Sequence, residues 1–205
     1  MQQIRNLIFD LGNVIIPIEE QHYWWKSIFL KTFSDEEKVW KLKENGFFTE
    51  FEKGHYTAEQ FMQTLKPLIK DGFEEKDIWT NWNKILHEIP KHRLDALKKL
   101  KKKYHLLLLS NTNEIHLSTI RQNLIRRFGQ DELRIIFDHC YYSFEMGMVK
   151  PEEEIYRKVL TSEQINPSET LFLDDSLENL KGAEKLGIQT IHVMPHEDFS
   201  VKYNF

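Results

Sequence analysis

The chain has 205 residues, 40% of them hydrophobic and 29% charged, with a formal net charge of -4. That length suits one domain, or one domain carrying a smaller insertion, and 13% aromatic residues is too rich for a disordered polymer. The acidic balance gives no global attraction to nucleic acid, and the longest aliphatic run, Leu106 to Leu109, falls far short of the roughly 20 residues of a membrane span.

The strongest local signals come in order along the chain. Leu7 to Ile18 is an apolar, β-prone run broken by Asp10 and by a Gly12-Asn13 turn signal. Such a run reads as a strand buried on both faces, with Asp10 at its C-terminal end. Residues 19–88 show no strand signal. Ser34 with Glu37 and Thr57 with Gln60 read as capping boxes opening two helices, and Ile78, Trp82 and Ile85 repeat at helical spacing in a third. All five tryptophans fall in this stretch, so it is expected to possess an aromatic core of its own.

After Pro90 strands and helices alternate. A helix through Leu94, Leu97 and Leu100 precedes a strand from His105 to Leu109, and a helix from Glu114 ends near Gly129. A short strand is expected around Cys140 to Phe144, a helix after Pro151, a strand from Thr170 to Leu173, a helix from Leu177 to Leu186 and a strand from Ile188 to Val193. This alternation implies right-handed crossovers and a parallel sheet. The expected architecture is a doubly wound, Rossmann-like α/β core of residues 1–18 and 89–205, with an all-helical cap, residues 19–88, inserted after the first strand.

The basic run from Lys98 to Lys103 reads as a solvated last helical turn, where cations favour the helix C-terminus. Cys140 is alone, so it makes no internal disulfide, and it lacks neighbours at zinc-ligand spacing. The short apolar stretch before Asp10 is too little for a signal peptide. A cytoplasmic protein without membrane or nucleic-acid partners is expected; its oligomeric state is left open.

In open α/β sheets ligands bind beyond the carboxyl ends of the strands. Asp10, Ser110-Asn111-Thr112-Asn113 and Asp174-Asp175-Ser176 each follow an expected strand, and Lys150-Pro151 stands in a loop before a helix. Each cluster alone reads more simply as a turn or a helix cap. Their conjunction is harder to obtain by accident, and adjacent carboxylates closing a buried strand are tolerated best with a cation between them.

Phe9-Asp10-Leu11-Gly12-Asn13-Val14, Leu109-Ser110-Asn111-Thr112, Lys150-Pro151-Glu152 and Phe172-Leu173-Asp174-Asp175-Ser176 together resemble the haloacid dehalogenase-like hydrolase superfamily. The position of the helical insert resembles that family's cap, and the first two stretches resemble a bacterial subgroup that includes sugar-phosphate phosphatases. The resemblance implies a phosphatase acting on a small phosphorylated metabolite, with Asp10 as a nucleophile that forms an aspartyl-phosphate. It implies Mg2+ held by Asp10, the Gly12 carbonyl, Asp174 and Asp175. Ser110, Asn111 and Lys150 are the implied phosphate-binding groups, with Ser110 and Lys150 counted as catalytic.

One position departs from the family pattern. Most phosphatases of the superfamily carry a second Asp two residues after the nucleophile, and here that position is Gly12. General acid–base catalysis is worth about 10²–10⁴ in rate, so its loss implies slow turnover, better leaving groups or an acid supplied by the cap. Glu19, Glu20 and His22 are the expected donors, while Tyr23, Trp24 and Trp25 are candidates to line the lid. Three alternatives remain open: a metal-independent 2-haloacid dehalogenase, a catalytically silent binding or regulatory protein, and a mutase.

Overall fold

The computed structural model describes residues 3–194 and 197–203. The ends of the expected core at positions 1 and 205 lie outside the described residues. The chain begins with β1 (Asn6–Phe9) and passes through α1 (Gln21–Trp24), α2 (Glu36–Glu44), α3 (Phe47–Glu52), α4 (Ala58–Leu65) and α5 (Glu75–Asn83). It continues through α6 (Lys91–Leu100), β2 (His105–Ser110), α7 (Glu114–Phe128), α8 (Glu132–Ile136), β3 (His139–Tyr142) and α9 (Ser143–Met146). The last elements are α10 (Glu153–Glu163), β4 (Thr170–Asp174), α11 (Leu177–Glu184), β5 (Gln189–His192) and α12 (Phe199–Lys202).

The five strands form one parallel sheet in the order β3-β2-β1-β4-β5. Alternate residues supply two separate cores, as the period of a strand requires. Leu7, Phe9, Leu106 and Leu108 face one layer, where Leu94 and Leu97 of α6 and Leu117, Ile120 and Leu124 of α7 cover them. Ile8, Leu107, Leu109 and Phe172 face the other, against Ile155 and Val159 of α10 and Leu180 of α11. The doubly wound expectation holds because unbroken aliphatic runs need helices on both faces. Chain order runs outward from β1 through β2 to β3 and returns on the far side at β4. The topological switch point therefore lies beside β1, where the carboxyl ends of β1 and β4 leave a crevice.

Residues 21–83 form helices, besides an isolated Phe33–Ile69 bridge, and carry a third core, in which Trp24, Trp25, Phe29, Phe48, Phe61 and Trp82 are buried together. The two chain crossings into this segment pair with each other, through an Ile18–Leu86 bridge and a Glu19 N–H bond to the Ile85 carbonyl at 2.7 Å. Thr57 and Gln60 form the expected capping box of α4. The box expected at Ser34 shifts by one residue: Asp35 caps α2 by accepting from the Lys38 N–H, while Ser34 Oγ donates to the Leu68 carbonyl. The expected strand through Phe144 ends at Tyr142, because Ser143 turns its hydroxyl to neighbouring backbone and starts α9. In the basic run, Lys98 pairs with Glu132 at 2.7 Å and Lys101 with Asp138 at 3.1 Å, around the end of α6.

His116 of α7 joins the aromatic core to the sheet. Its ring stacks on Trp82 with centroids 5.1 Å apart, and its Nε2 lies 3.2 Å from the Trp82 carbonyl. The carbonyl requires Nε2–H, and the Asn113 amide 3.2 Å from Nδ1 requires an acceptor, so these partners assign the neutral ring. Burial accordingly pushes His116 down to about 4. Above pH 6.5 neither the folded nor the unfolded state binds this proton, and as pH falls the unfolded state takes it up first. Stability is thus lost progressively from about pH 6.5 to 4, by about 2 kcal/mol between pH 7 and 5. Urea unfolding at the two pH values should show this drop in the wild type and a smaller one in His116→Gln.

Candidate active site

Four of the predicted residues meet at the crevice. Asp10 follows β1, its N–H bonded to the Leu173 carbonyl at 2.9 Å, and its carboxylate receives the Lys150 ammonium at 2.6 Å. Asp174 closes β4 and receives the same ammonium at 2.7 Å, while the Leu109 carbonyl takes the third N–H at 3.0 Å. Lys150 is 3% exposed, so all three of its donors are committed to buried acceptors. Burial works against its charge, but Asp10 and Asp174 outweigh burial and hold its pKa above the ordinary lysine value.

Carboxylate oxygens of Asp10, Asp174 and Asp175 lie within 4.8 Å of one another. Three carboxylates against one ammonium leave two negative charges in excess. Burial drives the Asp10 pKa up, Lys150 pulls it back, and Asp174 and Asp175 push it up further. Burial likewise raises Asp175. An excess of two charges and a set of hard oxygen donors match a divalent cation such as Mg2+.

The oxygens differ in what already occupies them. Asp174 Oδ1 accepts from the Ser176 N–H at 2.8 Å and from Asn179 Nδ2 at 3.0 Å. Asp175 Oδ2 accepts from Asn13 Nδ2 at 2.7 Å. Asp10 Oδ2 accepts no hydrogen bond among the described residues. The Gly12 carbonyl takes the Val14 N–H at 2.6 Å and keeps a second lone pair. Asn13 holds the turn at φ 55°, the left-handed conformation that Asn tolerates better than most side chains.

Ser110 ends β2 and is 2% exposed; its hydroxyl lies 3.4 Å from the Asn111 carbonyl, a weak contact. Asn111 does more than line the site. Its Oδ1 accepts the Lys150 N–H at 2.8 Å and its Nδ2 donates to the Lys150 carbonyl at 2.9 Å, which clamps the lysine's backbone. A cavity of about 420 Å³ opens above these groups, with Asp10, Gly12, Asn111, Lys150 and Asp175 on the sheet side and Gln21 and Glu52 on the helical side.

The expected acid donors do not line this cavity. Glu20 caps α1, accepting from the His22 and Tyr23 N–H groups, and those two bonds hold its carboxyl below the usual range, the wrong direction for an acid. Glu19 faces His87 at 3.6 Å, and His22 is exposed. Tyr23 is 53% exposed, whereas Trp24 and Trp25 are core residues that also wall a second cavity of about 270 Å³. Sequence reasoning passed over the supporting roles of Asn13 and Asn179, and over Glu52 altogether. For Asn13 the available signal was its place in the turn after the first strand; Asn179 stands inside α11 and carried no such signal.

Comparisons with known proteins identify the family of the chain. The family model of haloacid dehalogenase-like hydrolases matches residues 4–187. A D-ribitol-5-phosphate phosphatase from Bacteroides thetaiotaomicron is 30% identical over 187 residues, covering 91% of this chain and 90% of that protein. A haloacid dehalogenase family enzyme from the same organism, crystallised with magnesium and inorganic phosphate, is 35% identical over 98% of this chain and all of its own, with a TM-score of 0.86. The structure of a predicted haloacid dehalogenase-like hydrolase from Porphyromonas gingivalis is 31% identical, with a TM-score of 0.81 over 97% of this chain and 95% of that one.

Proposed function

The chain belongs to the haloacid dehalogenase-like hydrolase family, and from that premise we propose that it is a magnesium-dependent phosphatase for a small phosphorylated metabolite of the polyol- or sugar-phosphate class. The observation that carries the reading is the convergence of Asp10, Asp174, Asp175 and Lys150 at the switch point of the sheet, two negative charges in excess. The similarity to a ribitol-phosphate phosphatase over most of both chains supports the substrate class.

In this reading Asp10 is the nucleophile. Its carboxylate attacks phosphorus, the ester bond to the organic group breaks, and water then hydrolyses the aspartyl-phosphate, which splits one hard step into two. Lys150 holds Asp10 in place and offers its charge to the phosphoryl oxygens. Ser110 and the backbone of Asn111 receive the remaining phosphoryl oxygens. Asp10, Asp175, Asp174 and the Gly12 carbonyl would hold magnesium, which when bound screens the phosphate from the attacking carboxylate and neutralises charge developing in transfer. Residues 19–88 act as a cap over the core formed by 1–18 and 89–205 and exclude water from the site.

A carbon–halogen hydrolase would also use a carboxylate nucleophile, but it has no use for two adjacent carboxylates beyond the nucleophile, Asp174 buried and Asp175 partly so. Phosphate release from a panel of polyol and sugar phosphates, with magnesium and with EDTA, tests the proposal. Magnesium-dependent turnover of at least one of them is expected. Metal-independent cleavage of 2-haloacids would replace it with the dehalogenase reading, and turnover of neither class with the silent one.

A further inference from the structure

The alcohol of an alkyl phosphate is a poor leaving group as a bare alkoxide, so the reaction needs a group that delivers a proton to the ester oxygen. Gly12 has no side chain to do so. Among the ionisable groups lining the catalytic cavity, Asp10 is the nucleophile, Asp175 belongs to the acidic cluster and Lys150 has spent its three N–H donors. Glu52 is the one left. Its carboxylate makes no hydrogen bond or ion pair among the described residues, although it is half-buried.

Three consecutive contacts hold Glu52 where it is. Its own carbonyl accepts from Ser143 Oγ at 2.6 Å, and the neighbouring Lys53 pairs with Glu152 at 2.7 Å. Gly54 follows at φ 74°, and a Cβ there would stand 2.1 Å from the Phe144 carbonyl, so only glycine allows this approach. All three partners lie on the stretch of chain that carries Lys150. Glu52 is thereby fixed to the core loop of the active site even though it is the last residue of α3.

Its position between two compartments is the second argument. Glu52 and Gln21 are common to the catalytic cavity and to the aromatic cavity walled by Trp24, Trp25 and Trp82. A phosphate in the first and its organic group towards the second would put the bridging ester oxygen at their junction. We propose that Glu52 is the proton carrier of the reaction: its carboxylic acid protonates the ester oxygen as the P–O bond breaks, and the resulting carboxylate takes a proton from the water that attacks the aspartyl-phosphate. The cycle returns Glu52 protonated, Asp10 as carboxylate, and inorganic phosphate.

The surroundings suit both states. Lys150, Asp10 and Asp175 line the catalytic cavity on one side of Glu52, and Lys43 and His116 line the aromatic cavity on the other. Burial pushes Glu52 up to about 7, with Lys150 pulling it back, and the C-terminal end of a helix also disfavours a carboxylate. A carboxyl group so placed holds its proton near neutral pH and can still release it.

The inference rests on the phosphatase reading, and one experiment separates the two. With magnesium, kcat/KM is measured for wild type, Glu52→Gln and Glu52→Asp on an alkyl ester such as ribitol 5-phosphate and on 4-nitrophenyl phosphate, whose leaving group needs no proton. Glu52→Gln should lose about 10²–10⁴ on the alkyl ester and less than tenfold on the aryl ester. Glu52→Asp should recover part of the alkyl loss. The wild type's decline in alkyl kcat/KM as Glu52 deprotonates above neutral pH should disappear in Glu52→Gln. Equal losses on the two esters, or a loss confined to KM, would overturn the role of Glu52 alone. A wild type inactive on both would overturn the phosphatase reading and this inference with it.

Discussion

Asp10→Asn should bring magnesium-dependent phosphate release down by about four orders of magnitude or more, to the background of the assay, while leaving the fold in place. The amide has the shape of the carboxylate but neither its charge nor its nucleophilicity, so no aspartyl-phosphate can form. The backbone of residue 10 is tied to Leu173 and is unaffected by the change. The same substitution removes one of three mutually repelling carboxylates. Burial and those neighbours raise the Asp10 pKa, which means that the charged form is unfavourable in the metal-free fold. In EDTA, therefore, the melting temperature of Asp10→Asn should equal or exceed that of the wild type, and magnesium should raise it less. A variant that melts much lower would assign Asp10 a structural duty instead.

Lys150→Met tests the opposite half of the charge balance. The ammonium is buried and bonded to Asp10 at 2.6 Å, Asp174 at 2.7 Å and the Leu109 carbonyl at 3.0 Å. Methionine fills much of the same volume but leaves the carboxylates without their cation, and breaking a buried pair in this way costs about 3–5 kcal/mol. Urea unfolding in EDTA should show that loss. Added magnesium should narrow the gap to the wild type, because a divalent cation bound only by the folded state stabilises it by mass action. Turnover should fall by about 10²–10³, the effect of removing one charged group from a preorganised site. A stability deficit indifferent to magnesium would show that the lysine and the metal do not share these carboxylates.

The parts of the molecule legible from sequence are those in which a local pattern carries its own explanation. Aliphatic runs such as Leu106 to Leu109 have no exposed face to offer, so they specify a sheet covered on both sides. A carboxylate or hydroxyl at the end of such a run is conspicuous, and Asp10, Ser110, Asp174 and Asp175 stand out for that reason. Lys150 was legible only through the resemblance, since nothing in Val-Lys-Pro predicts a buried ammonium. The helical segment was harder to read. Helices at Gln21–Trp24 and Phe47–Glu52 are only 4 and 6 residues long, too short for a hydrophobic period to repeat.

Glu52 was out of reach for a different reason. Phe-Glu-Lys-Gly looks like a solvated helix end, and its partners Ser143, Phe144 and Glu152 lie about ninety residues away. Proximity in sequence to the nucleophile favoured Glu19, Glu20 and His22, but Glu20 spends its carboxylate on the first turn of α1. A substituent at Gly12 meets nothing closer than 3.8 Å, so steric crowding does not account for the missing side chain there. Gly12→Asp placed on Glu52→Gln is consequently a compatible second-site test of the same proton.

The central claim is that one reactive carboxylate, Asp10, takes a phosphoryl group beside a divalent cation. A crystal grown with magnesium and beryllofluoride tests it without relying on the natural substrate. The account predicts beryllium bound to a carboxylate oxygen of Asp10, fluorines against Lys150 and Ser110, and magnesium among Asp10, Asp174 and Asp175. Beryllofluoride absent from Asp10, with magnesium seated elsewhere or not at all, would contradict it.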